Sequence, residues 1–499
     1  MRFWAGSSES GRNPVGGHPG HGSRSGVRRK LVVAAAALVT ALPIVTACGS
    51  GYTPKVLNIY PPADGASFID EVGQKCSADS AGAYKIVTTP LPKSADDQRL
   101  QLARRLAGND PGLDLMGMDV VWTAEFADAG WIEPVPEALA AKVAATNLGG
   151  PRETAMWKTD EDAAKRLYAI PTWTNTQLLW YRPDLMRKYL NKSAAPTTWD
   201  EMLADTEAIR RKGGPSYIMV QGKQYEGLMV WFNSVLASAG GSVVGTDDPN
   251  KVTLNDTPAH RAATVKALRV LKAIATAPGH DPSLTNSDES SARLGMENGS
   301  AAFEVNWPFV FSSMRSNAAA GDVPFFPEMQ QYAGMLAEDA ENPPTDAQLG
   351  PVNKTVRTKF NFARYPGVSK DLPARSTLGG VNIAVASTSQ QKDPAFKAAE
   401  CLTNEAAQKV YSVDGGTPPT IASIYDDPDF KAAYPMGDDI RTQLESRNAA
   451  LRPASPVYQA ISTLLTAKLS PVGAWNPETL VDELADQVRK AIDGEGLIP

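Results

Sequence analysis

The chain has 499 residues, 42% of them hydrophobic and 21% charged, with 40 glycines and 38 prolines spread along its length. That length admits two to four domains, and the composition excludes collagen, coiled coil and global disorder. Only three cysteines occur, with no CxxC or CxxH pair to hold zinc, and a net charge of -6 argues against a nucleic-acid partner.

In chain order the first feature is an export signal. Arg28-Arg29-Lys30 precedes the uncharged run Leu31 to Val45, which is too short for a membrane span of about 20 residues. Val45-Thr46-Ala47-Cys48 follows and resembles a lipobox, in which residues 1–47 are removed and the thiol of Cys48 carries the lipid that anchors the protein. Met1 to Gly26 is Gly/Ser/His-rich and long for an n-region, which raises Val27 as an alternative start; Arg28-Arg29 with Leu31-Val32 resembles a twin-arginine signal. Without residues 1–47 the remainder has 43 basic and 54 acidic side chains, a net charge of -11. Its histidines are His260 and His280, both beside loop signals, so a Ser-His-Asp or Cys-His catalytic set is not expected. With Cys48 lipidated and the compartment oxidising, Cys76 and Cys401 are expected to pair; two separately buried thiols are the alternative.

Val56 to Tyr60 reads as a strand, and Pro61 to Gly65 as a turn into a helix with Phe68, Ile69, Val72 and Cys76 on one face. Tyr84 to Thr89 is a strand, Asp96 to Ala107 a helix and Leu113 to Trp122 a strand. This order predicts a parallel sheet whose carboxyl ends carry Asp64 and Asp119, where ligands of such sheets bind. Residues 123–165 read as helical and polar. Leu167 to Thr172 and Asn175 to Tyr181 form a long strand pair able to link lobes. Helices follow at Trp199 to Lys212, Glu226 to Ala239, Pro258 to Ala275 and Ser287 to Met296, with strands at Tyr217 to Gln221 and Ala301 to Asn306. Pro327 to Leu372 reads as loop, Leu378 to Val385 as a glycine-led strand, Asp393 to Val413 as one helix, and the remainder as helical with Pro-rich breaks.

Several of these pieces, in this order, resemble the solute-binding lipoproteins of carbohydrate ABC importers, the family related to the maltose-binding protein. They are the lipobox, Leu113-Asp114-Leu115, Tyr168-Ala169-Ile170-Pro171 through Tyr181-Arg182-Pro183-Asp184-Leu185, Asn298-Gly299-Ser300-Ala301-Ala302-Phe303 leading to Trp307, and Gly379-Gly380. Three stretches, Gln98 to Leu106, Asp119 to Phe126 and Glu304 to Phe309, look most like the trehalose-binding lipoproteins of mycobacterial importers. The resemblance implies an α/β, two-lobed periplasmic-binding-protein type II (Venus flytrap) fold with three hinge crossings, near Thr172 to Asn175, Thr377 to Gly380 and Gly416 to Thr420. Residues 48–172 plus 380–416 would form lobe 1, and 173–379 plus 417–499 lobe 2. Cys76 and Cys401 then share one lobe, so a bridge between them leaves the lobes free to move.

A disaccharide needs side chains that pair with hydroxyls and an aromatic face for its C–H patches. Asp64 and Asp119 are candidates as strand-end acceptors, Asp64 with helix capping as its alternative role. Gln98 opens a helix and is read as sugar contact or cap. The resemblance places Asn175 as a polar group beyond the first crossing and Trp307 as the stacking aromatic. Gly380 is expected to offer a backbone group where a side chain would intrude on the cleft. Arg452 is expected to fork onto two hydroxyls or onto an acid such as Glu289, itself a candidate contact. Trp122, Trp173 and Trp231 read as core or rim.

These expectations describe a receptor, not an enzyme: an extracytoplasmic, lipid-anchored protein that closes on a disaccharide, trehalose first among them, and hands it to the permease, with no cofactor and no metal. The rival reading is a secreted glycoside hydrolase using paired carboxylates; a third is an envelope scaffold binding a protein.

Overall fold

The computed structural model describes residues 51–337, 344–413 and 415–495, so the signal segment and Cys48 lie outside the described residues. Val56–Tyr60 buries Leu57 and Ile59 completely and forms the centre of a sheet, pairing in parallel with Lys85–Thr88 on one side and Leu115–Asp119 on the other. The intervening helices, Ala66–Asp79 and Ala95–Ala107, bury Ile69, Val72 and Cys76, and Gln98, Leu102 and Leu106, respectively. The first begins at Gly65, whose φ of 85° lies in the left-handed region that glycine adopts without strain. The second is capped by Ser94, whose hydroxyl accepts the Asp97 N–H.

The sheet is mixed, because Ser376–Val385 joins Leu115–Asp119 in antiparallel register. This ten-residue strand ties the molecule together. Its start pairs with Ala449–Ala450, its middle with Ile170–Thr176, and its end with Leu115–Asp119. The Thr174 N–H donates to the Pro418 carbonyl at 2.9 Å and Trp173 bridges Pro419, so three passages of chain run side by side. Beyond them lies a second sheet, ordered Asn361–Ala363, Leu178–Tyr181, Ala301–Asn306, Tyr217–Met219. The first body's core gathers Leu57, Ile59, Leu102, Leu115, Phe126 and Ile383. The second has one core around Trp199, Trp231 and Phe232 and another around Trp180, Phe311 and Phe360. Two α/β bodies joined by adjacent crossings are the two-lobed arrangement the sequence implies. Cys76 and Cys401 form a disulfide between the helices Ala66–Asp79 and Lys392–Thr403 of the first body, with Cα atoms 6.0 Å apart.

Three segments depart from expectation. The stretch 123–165 is helical only at Thr123–Asp128, Glu137–Thr146 and Gly149–Thr154, after which Met156–Trp157 pairs with Arg166–Leu167. The 327–372 stretch contains the helix Asp346–Val356, started by Thr345 and Gln348 in a reciprocal capping box, and the strand Asn361–Ala363. The expected helix 393–413 is two helices, because Asn404 breaks out and its side chain accepts the Ala407 N–H. Among the described residues no helix is long and apolar enough to cross a membrane.

Candidate functional site

Asp119 ends its strand opposite Val381, and the following Val120 N–H reaches the Gly380 carbonyl at 3.3 Å. Arg452 arrives from the second body and donates from one guanidinium nitrogen to Asp119 Oδ1 at 2.7 Å and from another to Glu226 Oε1 at 2.7 Å. Glu226 opens the helix Glu226–Ser238, where the helix dipole favours a carboxylate, and it also accepts the Tyr458 hydroxyl and, at 2.5 Å, the Ser462 hydroxyl. Arg452 is 7% exposed, and its Nε is buried without a hydrogen-bond partner among the described residues. Burial alone would lower its pKa; Asp119, Tyr458 and Glu226 outweigh that and raise it. Burial raises the Glu226 carboxyl against the pull of Arg452. The expected Arg452–Glu289 pairing does not form: Arg452 instead joins the two bodies through Asp119 and Glu226.

A second group lies along the same crossing. Trp307 follows the strand Ala301–Asn306, and a Cβ built on Gly379 would stand 3.2 Å from its ring, so glycine there lets the indole lie against the crossing strand. Asn175 faces Gly379 in the sheet register, and its Oδ1 accepts the Thr176 N–H at 3.1 Å. The Glu289 carboxylate accepts the Tyr225 hydroxyl at 2.6 Å. Burial raises the Glu289 carboxyl, while the bond from Tyr225 opposes it. The structure thus brings together Asn175, Glu289 and Trp307, and separately Asp119, Gly380 and Arg452, on the two sides of Gly379-Gly380.

Asp64 and Gln98 form a third group. Asp64 does not cap the helix behind it: Gly65 holds the cap position and no side-chain cap bond exists. The residue is exposed and has no hydrogen-bond partner among the described residues; partial burial of the carboxyl raises its pKa, and the charge of Lys93 opposes the rise. Gln98 is no cap either, since Ser94 performs that role. Its Nε2 donates to the Pro92 carbonyl at 2.8 Å and the Lys93 carbonyl at 3.3 Å, fixing the loop that carries Lys93. The reason for glycine at 380 also needs correcting. With φ at 133°, a Cβ there would sit 2.4 Å from the Trp173 carbonyl oxygen, so the close approach of the neighbouring strand, not an open cleft, demands glycine. Trp122 and Trp231 are core; Trp173 packs edge-on to Tyr411 at 5.8 Å, beneath Gly65.

Sequence reasoning missed Glu226, Tyr225, Tyr458 and Asn306. Glu226 reads locally as an ordinary acid in a first helical turn, and its partner stands 226 residues away. What converges is a set of carboxylates, amides, one guanidinium and one indole face. His260 bonds to Asp256 and His280 to the Ala277 carbonyl, and among the described residues no hydroxyl or thiol is hydrogen-bonded to either ring. The set suits reversible recognition of hydroxyls.

Comparison with known proteins agrees in kind. The profile of bacterial extracellular solute-binding proteins matches residues 83–409. A probable ABC transporter-binding protein of Deinococcus radiodurans is 28% identical over 422 residues, covering 79% of this chain and 84% of its own. Among solved structures, maltose-bound MalE3 of T. maritima superposes with a TM-score of 0.66 at 23% identity, covering 87% of this chain and 99% of its own. The sugar-binding protein MalE of Xanthomonas citri does so with a TM-score of 0.66 at 20% identity, covering 88% and 98%.

Proposed function

The chain belongs to the bacterial extracellular solute-binding protein family, whose members bind solutes and are not enzymes, and from that premise we propose that it is the sugar receptor of an ABC importer. Residues 48–172 plus 380–416 and 173–379 plus 417–499 move as two lobes that close on a disaccharide, with trehalose as the favoured ligand, and the closed form delivers it to the permease. Cys48 carries the lipid that holds the receptor at the membrane. The observation that carries this reading is the pair of polar groups set along the crossings, Asn175, Glu289 and Trp307 beside Gly379 and, apart from them, Asp119 held by Arg452 from the other body. Asp64 and Gln98 extend the polar rim, and Gly380 contributes backbone. Contacts made to both lobes only when shut are what drive closure. The trehalose assignment is supported by the three sequence stretches resembling trehalose-binding lipoproteins; the sugar class is supported by the maltose bound in MalE3.

Calorimetry against a panel of neutral disaccharides tests the proposal. Trehalose is expected to bind saturably without release of glucose, and Trp307→Ala to weaken binding by at least about tenfold, roughly the 1.4 kcal/mol of a lost stacking face. Glucose release that depends on the protein would establish the hydrolase instead, and unchanged affinity in the variant would remove Trp307 from the site.

A further inference from the structure

The strand Ala301–Asn306 is buried along its whole length, yet it carries Glu304 and Asn306, both 0% exposed. Their side chains are bonded to each other: Asn306 Nδ2 donates to Glu304 Oε1 at 2.7 Å. The same amide nitrogen donates to the Glu289 carbonyl at 2.9 Å, and Asn306 Oδ1 accepts the Trp307 N–H at 2.8 Å. The Asn306 carbonyl accepts the indole N–H of the buried Trp180 at 2.9 Å, which anchors the residue to the neighbouring strand. One amide therefore fixes the backbone of both Glu289 and Trp307, two of the residues read as ligand contacts.

Behind this amide, Glu304 is incompletely satisfied. Its Oε2 is buried with no hydrogen-bond partner among the described residues. An ionised carboxylate in that position is costly, and the group responds by keeping its proton. Burial pushes its pKa up to about 8, with the Asn306 bond opposing, Glu297 adding to the rise and Arg293 opposing. Those two charges come from the helix Glu289–Glu297 and are paired with each other, while Asn317 donates to Glu297 at 2.9 Å. The strand neighbours in register with Glu304 are Trp180 and Met219, neither of them ionisable in this range.

We propose that Asn306 is a positioning residue for Glu289 and Trp307, and that the protonation state of Glu304 behind it sets the affinity of the cleft for its ligand. This rests on the reading of that cleft as the sugar site. The neutral acid shares the Asn306 amide with the Glu289 carbonyl. Once ionised, the carboxylate is the stronger acceptor, draws the amide toward itself and weakens the bond that fixes the start of the Glu289 helix. Affinity is then highest with Glu304 protonated, and ligand binding near its pKa draws in a proton.

The test is trehalose calorimetry from about pH 6.5 to 9.5 on the wild type, Glu304→Gln and Asn306→Ala, with the emission difference between wild type and Trp307→Phe followed over the same range without ligand. The wild type is expected to lose affinity several-fold across about pH 8. Glu304→Gln keeps the neutral shape and is expected to bind as the wild type does at pH 7 with a flat profile. Asn306→Ala is expected to bind about tenfold more weakly at pH 7, with altered Trp307 emission. A fall in affinity that persists in Glu304→Gln, a flat wild-type profile, or wild-type binding by Asn306→Ala overturns the proposal; if Asn306→Ala does not fold, the Glu304→Gln profile decides. If trehalose does not bind the wild type at all, the receptor reading with trehalose as ligand fails, and the ligand-free emission still decides this one. A Trp307 shift near pH 8 that Glu304→Gln abolishes supports it, and no shift refutes it.

Discussion

Replacing Arg452 with methionine, which keeps the length of the side chain and removes its charge, probes the link between the two bodies. The guanidinium bonds to Asp119 and Glu226 at 2.7 Å each, and its side chain is 3% exposed. Unit charges about 4 Å apart at an effective dielectric constant of about 20 attract by ~4 kcal/mol, so the two partners together supply ~8 kcal/mol before desolvation is counted. Taking an arginine out of water consumes much of this, but the variant is left with two carboxylates lacking their cation. Breaking such a pair from one side costs about 3–5 kcal/mol, and that is the loss expected in urea unfolding near pH 8. The pH dependence follows from Glu226. Burial already raises its carboxyl above the ordinary 4.5 with Arg452 present, and without the cation the rise is larger. The native state of the variant then holds a proton that the unfolded chain has released, so its stability is greater at low pH and is lost as pH rises through the folded pKa. The deficit relative to wild type therefore shrinks at pH 5. Because Arg452 is one of the bonds between the bodies, beside that of Gln459 to Asp96, X-ray scattering is expected to show a more open average shape. A loss below about 1 kcal/mol at both pH values, with unchanged scattering, would refute the cross-lobe network as a structural element.

The disulfide is tested by replacing Cys76 and Cys401 with serine together. The bridge spans 325 residues, for which the chain-entropy relation gives an upper value of ~6 kcal/mol, and a loss of about 2–5 kcal/mol is expected on thermal or urea unfolding. Sugar affinity should stay unchanged, since both cysteines belong to helices of one body; a large drop in affinity would mean that the bridge shapes the cleft. Cys48→Ser is expected to move the protein from the membrane to the soluble fraction with its affinity intact, and retention on membranes would count against lipid anchoring.

Much of the architecture was legible because its pattern is local. Val56–Tyr60, Leu115–Asp119 and the helices between them bury a regular set of apolar residues, and each needs only its own sequence to do so. What escaped was set by details that composition hides. The helix Asp346–Val356 contains Pro351 and few apolar residues, and its start is declared only by Thr345 and Gln348. The break at Asn404 is a single capping residue between two runs of good helix formers. Ala449–Ala450 has no strand signal of its own and is extended because Ser376–Thr377 pairs with it.

The candidate site divides along the same line, and the division explains its chemistry. Asp119, Asn175 and Trp307 stand at strand ends or crossings, positions that the order of elements marks in advance. Glu226, Tyr458 and Asn306 acquire their roles from partners elsewhere in the fold: Arg452 lies 333 residues from Asp119 and 226 from Glu226. Yet one local sign was available. Glu304 and Asn306 sit in a strand whose other members, Ala301, Ala302, Phe303 and Val305, are wholly apolar and buried. A carboxyl in such a run has no water to face on either side of the sheet, so it must find a hydrogen bond, give up its charge, or do both. Glu304 finds a bond while burial pushes its pKa up, and that bond is to Asn306, which also holds the Glu289 carbonyl and the Trp307 N–H. A polar residue that breaks a buried strand's pattern therefore marks the support of a site as surely as an aromatic at a strand end marks its face.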